Sequence, residues 1–178
     1  MSGSSTRAAA TISAISASGS ATGASRSGHR AGSPSARSAG LSELRNGLSA
    51  AATTPVLLTG DFNAPSHLDW TAANSRCGYG AVQWPSSTAP ANAGLTDSYR
   101  QAHPDPATSP GNTWSPVDKT FAGGYGYDAH TGEPEPQDRI DFVHYKGPLT
   151  VLSSDAVSTD LGTWPSDHAA VLTVFQVN

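Results

Sequence analysis

Apolar positions along this chain change their rhythm near residue 41. Residues 1 to 40 offer only Met1, Ile12 and Ile15 as large aliphatics, while Ser, Ala and Gly fill 28 of the 40 positions. Such a segment buries too little apolar surface to offset chain entropy and is expected to be disordered. From Leu41 onward periodic patterns begin. Leu41, Leu44 and Leu48 recur at three and four, the spacing of a short amphipathic helix, and Thr53, Thr54 and Pro55 end it. Pro55-Val56-Leu57-Leu58-Thr59 reads as a buried strand closed by the turn residues Gly60 to Pro65. A short helix is expected over His67 to Asn74, with Ser66 as its N-cap.

Residues 76 to 136 are dense in Pro, Gly, Ser, Thr and Asn and read as loop, with aromatic residues spread through them. A loop region of that length in a compact domain tends to be functional. Glu133-Pro134-Glu135-Pro136 is a stiff, extended approach to a strand over Arg139 to Tyr145. Two more strands are expected over Leu149 to Leu152 and Ala169 to Val177. Gly147-Pro148 turns between the first two, and the short connections suggest neighbours in one sheet. The chain thus divides into a low-complexity segment, 1 to 40, and a folded unit, 41 to 178.

Charge divides at the same place. Residues 1 to 40 hold Arg7, Arg26, Arg30 and Arg37 and no acid, so all 14 Asp and Glu of the chain lie beyond them. The folded unit is net acidic and shows no basic patch, so its charge does not point to a tight nucleic-acid binder. Cys77 is the only cysteine, which excludes an intrachain disulfide and leaves the redox compartment open. No apolar run reaches the length of a membrane span. The first residues lack the apolar core of a secretory signal, so localisation stays open; their Arg- and Ser-rich, acid-poor make-up suits a transit peptide, a compositional accident or a mis-assigned start.

Three short motifs carry candidate chemistry: Gly60-Asp61-Phe62-Asn63, Asp138-Arg139-Ile140-Asp141-Phe142-Val143 and Ser166-Asp167-His168. Each sets acidic or imidazole groups at a strand or its edge. In an extended segment Asp61 and Asn63 would point the same way. Taken singly, each motif has a plainer reading. Asp and Asn often close turns on their own backbone, and Arg139 with Asp141 would make a surface ion pair contributing about 0 to 1 kcal/mol. Together they match what phosphate-ester hydrolysis requires. Carboxylates suit Mg²⁺, a cation offsets charge on phosphoryl oxygens, and a His held by a carboxylate keeps one tautomer. Asp141 and Asp138 compete for His168; Asp141, nested in the apolar strand, is the better candidate. His67, His103, His130 and His144 read as surface or structural residues, and Trp114 as core packing.

These motifs, in this order, resemble the three C-terminal motifs of the endonuclease/exonuclease/phosphatase superfamily, which includes pancreatic-type deoxyribonuclease, apurinic endonucleases, neutral sphingomyelinases and inositol polyphosphate 5-phosphatases. Asn112-Thr113-Trp114 is similar to the family's Thr-Trp or Thr-Phe element, and Asp97-Ser98-Tyr99-Arg100 to a segment upstream of it. The resemblance covers about residues 41 to 178. It implies an α+β fold, the C-terminal half of a four-layer α/β/β/α two-sheet sandwich, and a metal-dependent phosphoesterase. By the same resemblance Asp61 would orient or deprotonate the attacking water and also touch the metal. Asn63 would hold a phosphate oxygen, Asp167 would ligate or position the metal, and His168, oriented by Asp141, would contact the scissile phosphate. Mg²⁺ is the implied cofactor, with Mn²⁺ or Ca²⁺ as alternatives, and the partner is a phosphate ester of unspecified class.

The family's first half would supply an early Asn, a metal-ligating Glu and a second catalytic His or Tyr. In residues 1 to 54 the only acid is Glu43 and the only His is His29, neither on a strand-like pattern. The expectation is therefore a truncated form with weak or no activity alone. A rival reading makes the Trp, Tyr and Gly-rich loops a non-catalytic carbohydrate- or ligand-binding module, but it leaves the three motifs unexplained.

Overall fold

The computed structural model describes residues 9–14, 44–124, 126, 128–158 and 164–178. In chain order the elements are β1 (Ala9–Ala14), α1 (residues 44–50), β2 (Val56–Asp61), α2 (Pro85–Asn92), β3 (Thr96–Asp97), α3 (Ser98–Ala102), a 3₁₀ turn (Asp128–His130), β4 (Asp141–Lys146), β5 (Leu149–Val157) and β6 (Ala170–Val177). They form two three-stranded antiparallel sheets, ordered β2-β4-β3 and β1-β6-β5.

The sheets meet face to face. Val143 of β4 and Val171 and Phe175 of β6 are buried, and Leu57, Tyr145, Leu149 and Val151 pack around them. Residues two apart on a strand share a face, so Leu57 and Asp61, with the exposed Thr59 between them, and Tyr145, Val143 and Asp141 make two rows on the side of each strand that faces the other sheet. The Tyr145 and Phe175 rings sit 5.1 Å apart across it. On the outer face of β2, Leu58 and Phe62 line an apolar hollow with Leu44 and Leu48 of α1 and Ala89 and Pro90 of α2. With α1 and α2 beside β2 and α3 packed on β4 and β5, the two antiparallel sheets make up the α+β class expected from sequence.

The expectation that the last three strands neighbour one another in one sheet is corrected. β5 and β6 pair with each other, but β4 lies in the other sheet between β2 and β3. The alternating pattern says which side of a strand is apolar, not which strand lies beside it. Crossing between sheets depends on Gly147, at φ +106°, where a Cβ would come within 2.8 Å of the Ala51 carbonyl and 2.9 Å of that of Thr54. β4 starts at Asp141 rather than Arg139, because the Ile140 and Asp141 amides both donate to Thr113 Oγ1, at 3.0 and 3.1 Å, instead of to a neighbouring strand.

Other elements also depart from expectation. The helix over His67 to Asn74 is a set of turns. Ser66 does receive the Leu68 amide on its hydroxyl and the Asp69 and Trp70 amides on its carbonyl. The turn goes no further, since Asp69 and Trp70 are committed to distant partners, Arg139 and Asp138. Residues 76 to 136 are not all loop. α2 begins with Pro85 in its first turn, where the missing amide hydrogen costs nothing. α3 is capped by Asp97, whose side chain accepts from the Tyr99 and Arg100 amides. Within the stretch expected to be disordered, Ala9–Ala14 runs antiparallel along β6, with Ala9 opposite Gln176 and Ala14 opposite Val171. A strand edge offers backbone donors and acceptors whatever the added side chains, so poor apolar content does not forbid this pairing. The other positions before residue 44 lie outside the described residues.

Candidate active site

Antiparallel pairing of β2 with β4 sets Asp61 directly opposite Asp141. Both continue the core-facing rows to one end of the sandwich. Like charges directly opposed across a strand pair are destabilising unless something compensates them. One compensating group comes from the other sheet. His168, two residues before β6, places Nδ1 2.7 Å from Asp141 Oδ2, and both side chains are about 95% buried. Asp61, Asp141 and His168 each offer a ligand-capable atom within 4.8 Å of the others. The second oxygen of Asp141, Oδ1, is buried without a hydrogen-bond partner among the described residues. Of the two carboxylates weighed for His168, Asp141 is the one against it. Asp138 instead accepts from Trp70 Nε1 at 2.9 Å and from Arg76 at 3.0 Å.

The remaining candidate residues are disposed differently. β2 ends at Asp61, and Asn63 turns away at φ +49°, so the two do not share a strand face. Asp61 Oδ1 accepts the Asn63 amide at 2.7 Å, the self-closing turn that Asp and Asn favour. Asn63 is exposed beside the cluster's Asp61. Asp167 is half-buried and its carboxylate is not part of the three-residue cluster; its carbonyl accepts from Ser115 Oγ at 2.6 Å. The sequence reading placed Asp167 and Asp61 on the metal; the structure gathers Asp61 with Asp141 and His168 and leaves the Asp167 carboxylate outside that group.

What holds the cluster is the segment Thr113 to Ser115. Trp114 makes isolated bridges to both Asp138 and His168. Its ring meets the His168 ring edge-on at 5.0 Å, and its Nε1 donates to Glu135 Oε1 at 3.1 Å. Trp114 is therefore half-buried packing directly on the candidate site. The aromatic and proline-rich stretch beyond it folds back as a ribbon, with Thr120 bridged to Pro134.

A second feature escaped sequence reading. Arg139 is not a surface partner of Asp141; it is 2% exposed and holds two other carboxylates. It reaches Asp69 through Nε and Nη2, at 3.0 and 3.1 Å, and Asp97 through Nη1 at 3.1 Å and Nη2 at 2.7 Å. Arg100 also binds Asp69. Burial opposes the charge of Arg139, but Asp97 and Asp69 outweigh it and raise its pKa above the usual arginine value. Burial likewise pushes Asp97 upward, and Arg139 more than reverses this, leaving Asp97 below its ordinary value. These partners lie as far as 70 residues apart, and no local pattern signals the pairing. The network locks the residues just before Ile140-Asp141 to the rest of the fold.

The other described histidines sit away from the cluster. His103 bonds the Ser154 carbonyl, His67 the Ser87 hydroxyl, and His130 is exposed beside Glu133. His144 is 2% exposed, facing away from the inter-sheet core beside Phe62 and Phe142. Burial is the main force lowering its pKa, opposed by Asp97 and assisted by Arg139 and His67.

The chain is also similar to known proteins. Residues 20–168 match the model of the Endonuclease/Exonuclease/phosphatase family. An uncharacterized protein of Caenorhabditis elegans, F14F9.5, is 37% identical over 128 residues, which is 66% of this chain and 39% of that relative. The chain thus spans well under half the length of the curated relative it matches. Among solved structures, TDP2 of Caenorhabditis elegans as the selenomethionine protein aligns over 80% of this chain and 36% of its own, at 19% identity and a TM-score of 0.43. Truncated TDP2 from the same organism aligns over 80% and 47%, at 18% identity and a TM-score of 0.43. With the family model matched across most of the chain, the chain belongs to the endonuclease/exonuclease/phosphatase family.

Proposed function

We propose that the site hydrolyses a phosphate ester with the help of a divalent cation. The observation that carries this reading is the buried Asp141–His168 pair with Asp61 beside it. Two opposed carboxylates, one of which keeps a buried oxygen, Asp141 Oδ1, unpartnered among the described residues, are a donor set that fits a hard cation such as Mg²⁺ or Mn²⁺. Asp61 and Asp141 Oδ1 would hold it. When bound, the cation supplies charge to offset the phosphoryl oxygens.

The protein's own groups would do the rest. Asp141 takes the proton-bearing Nδ1 of His168, fixing the ring's tautomer and leaving Nε2 as its remaining polar atom. Nε2 would contact the scissile phosphate and stabilise the charge that develops there. Asp61 would orient the attacking water, and Asn63, exposed next to it, would hold a phosphate oxygen. Asp167, adjacent to His168 but outside the cluster, is assigned no direct contact. The substrate is a phosphate ester, with nucleic acid, lipid headgroup and inositol phosphate as its candidate sources.

The cluster among the described residues offers two carboxylates and an imidazole, and the chain spans only 39% of the length of the relative it matches. We therefore propose that the 178-residue chain hydrolyses weakly by itself. The test pairs Mn²⁺ titration, followed by water proton relaxation, with turnover of bis(p-nitrophenyl) phosphate in Mg²⁺. Saturable Mn²⁺ binding lost in Asp61→Asn, with slow turnover lost in His168→Ala, is expected. No Mn²⁺ or Mg²⁺ binding would end the metal-dependent reading. Robust turnover abolished by His168→Ala would overturn the claim of weakness alone.

A further inference from the structure

We infer that Thr113 is a positioning residue of this site, setting Asp141 and His168 against each other from between the two sheets. The inference rests on the hydrolase reading for its purpose but not for its geometry. Asp141 opens β4 of one sheet and His168 precedes β6 of the other, so neither sheet's own ladder fixes the distance between them. Some third element has to set it.

Thr113 is fully buried, at 0% exposure, and every polar atom it owns faces one strand or the other. Its Oγ1 accepts two amides at once, Ile140 at 3.0 Å and Asp141 at 3.1 Å. Its own amide donates to the Asp138 carbonyl at 3.0 Å. On the opposite side its carbonyl accepts the Ala169 amide at 2.8 Å. One residue therefore grips the chain at Asp138, Ile140 and Asp141 and also one position after His168. Ser115 and Trp114 extend the same grip to Asp167 and His168.

The doubly accepting hydroxyl is the specific part. Two amides on one oxygen hold Asp141 short of a regular strand hydrogen bond, which is why β4 starts where it does. Removing that oxygen leaves two donors without their acceptor. The strand entry would relax toward another partner and carry the Asp141 carboxylate with it. A displacement of a few tenths of an ångström suffices to loosen a 2.7 Å contact. Valine keeps the shape of threonine and lacks the oxygen. Serine keeps the oxygen and loses a methyl.

The test is proton and ¹⁵N NMR of the imidazole of His168 in the whole 178-residue chain, without metal or substrate. The Nδ1 proton shared with Asp141 should give a downfield resonance, identified by its absence from Asp141→Asn. Thr113→Val should lose that resonance or move it upfield, and Thr113→Ser should restore it. A merely structural role would lower the melting temperature of Thr113→Val and leave the resonance in place. That result, in a folded Val variant, would overturn the inference. Should Thr113→Val fail to fold, Thr113→Cys, whose sulfur is a weak acceptor, takes its place. A Cys variant with a resonance unchanged from Thr113 overturns the inference equally, and an upfield shift supports it. Failure of the hydrolase reading would appear in metal binding and turnover and would leave this signal untouched.

Discussion

Asp141 Oδ2 and His168 Nδ1 lie 2.7 Å apart although 27 residues separate them and their strands belong to different sheets. The contact closes one end of the sandwich, where the inward-facing rows of β2 and β4 change from apolar to acidic. Val143 and Tyr145 bury their side chains against β6, and two residues earlier the same face presents Asp141. The packing that makes the core thus also aims the carboxylate, since alternate residues on a strand cannot choose their faces independently.

That coupling makes Asp141 a sensitive position. Asp141→Asn keeps the shape but cannot hold His168 as a charge-stabilising partner. Any phosphodiester turnover by the site should fall by about 100-fold or more, in keeping with the cost of losing a positioned proton-transfer group. The effect should be on kcat rather than KM. Steady-state kinetics of the variant beside a melting curve checks this. Unchanged kcat in a folded protein would remove Asp141 from the mechanism.

Arg139 should matter to folding rather than to chemistry. Replacing it with Met leaves Asp69 and Asp97 buried without their shared counter-charge, apart from what Arg100 gives Asp69. Breaking a buried ion network from one side typically costs about 3–5 kcal/mol. Arg139→Met should therefore lower the urea midpoint by a large margin. Arg139→Lys should recover little, because an ammonium cannot make the paired contacts of a guanidinium with two carboxylates. Equilibrium unfolding of the three proteins measures both statements.

Acid should weaken the fold in two windows. His144 is lowered from its ordinary value of 6.5 mainly by burial. The unfolded chain then takes up a proton at this site before the folded protein does, so stability is complete above 6.5 and declines as pH falls through the lower folded value. Asp97, held below its ordinary 3.8 by Arg139 against the effect of burial, adds a second loss at more acid pH, as its folded value is crossed. Denaturant midpoints at pH 7.5 and pH 5 should therefore differ, and His144→Gln should reduce the difference. An equal difference in that variant would assign the window to another group.

Gly147 should tolerate no side chain. Its φ of +106° is strained for any L residue, and a Cβ there meets two carbonyl oxygens under 3 Å away. Both belong to the backbone leading into β2, so relief requires moving that backbone rather than a side chain. Gly147→Ala should cost at least about 1–3 kcal/mol. In a chain of this size each 1 kcal/mol lowers the melting temperature by roughly 2–4 °C. Differential scanning calorimetry would show whether the turn carries that strain.

By itself the sequence determined α1, the longer strands after residue 55 and the inventory of the candidate site. The apolar runs marked β2, β4 and β6, because burial of one face imposes a period that survives in the letters. The motifs around Asp61, Asp141 and His168 marked the groups that the structure gathers into the candidate site, because their order and their places beside strands are legible along the chain. Capping by Asp97 was also written locally, though it was passed over in a region read as loop. Only the tertiary structure decided that β4 leaves β5 and β6 for the other sheet, that Asp61 faces Asp141, and that Arg139 binds Asp69 and Asp97. It also decided that Thr113, rather than either sheet, holds Asp141 and His168 together. These are contacts between residues tens of positions apart. They depend on which faces pack and in what register, and a one-dimensional pattern fixes the face of a strand but not its partner.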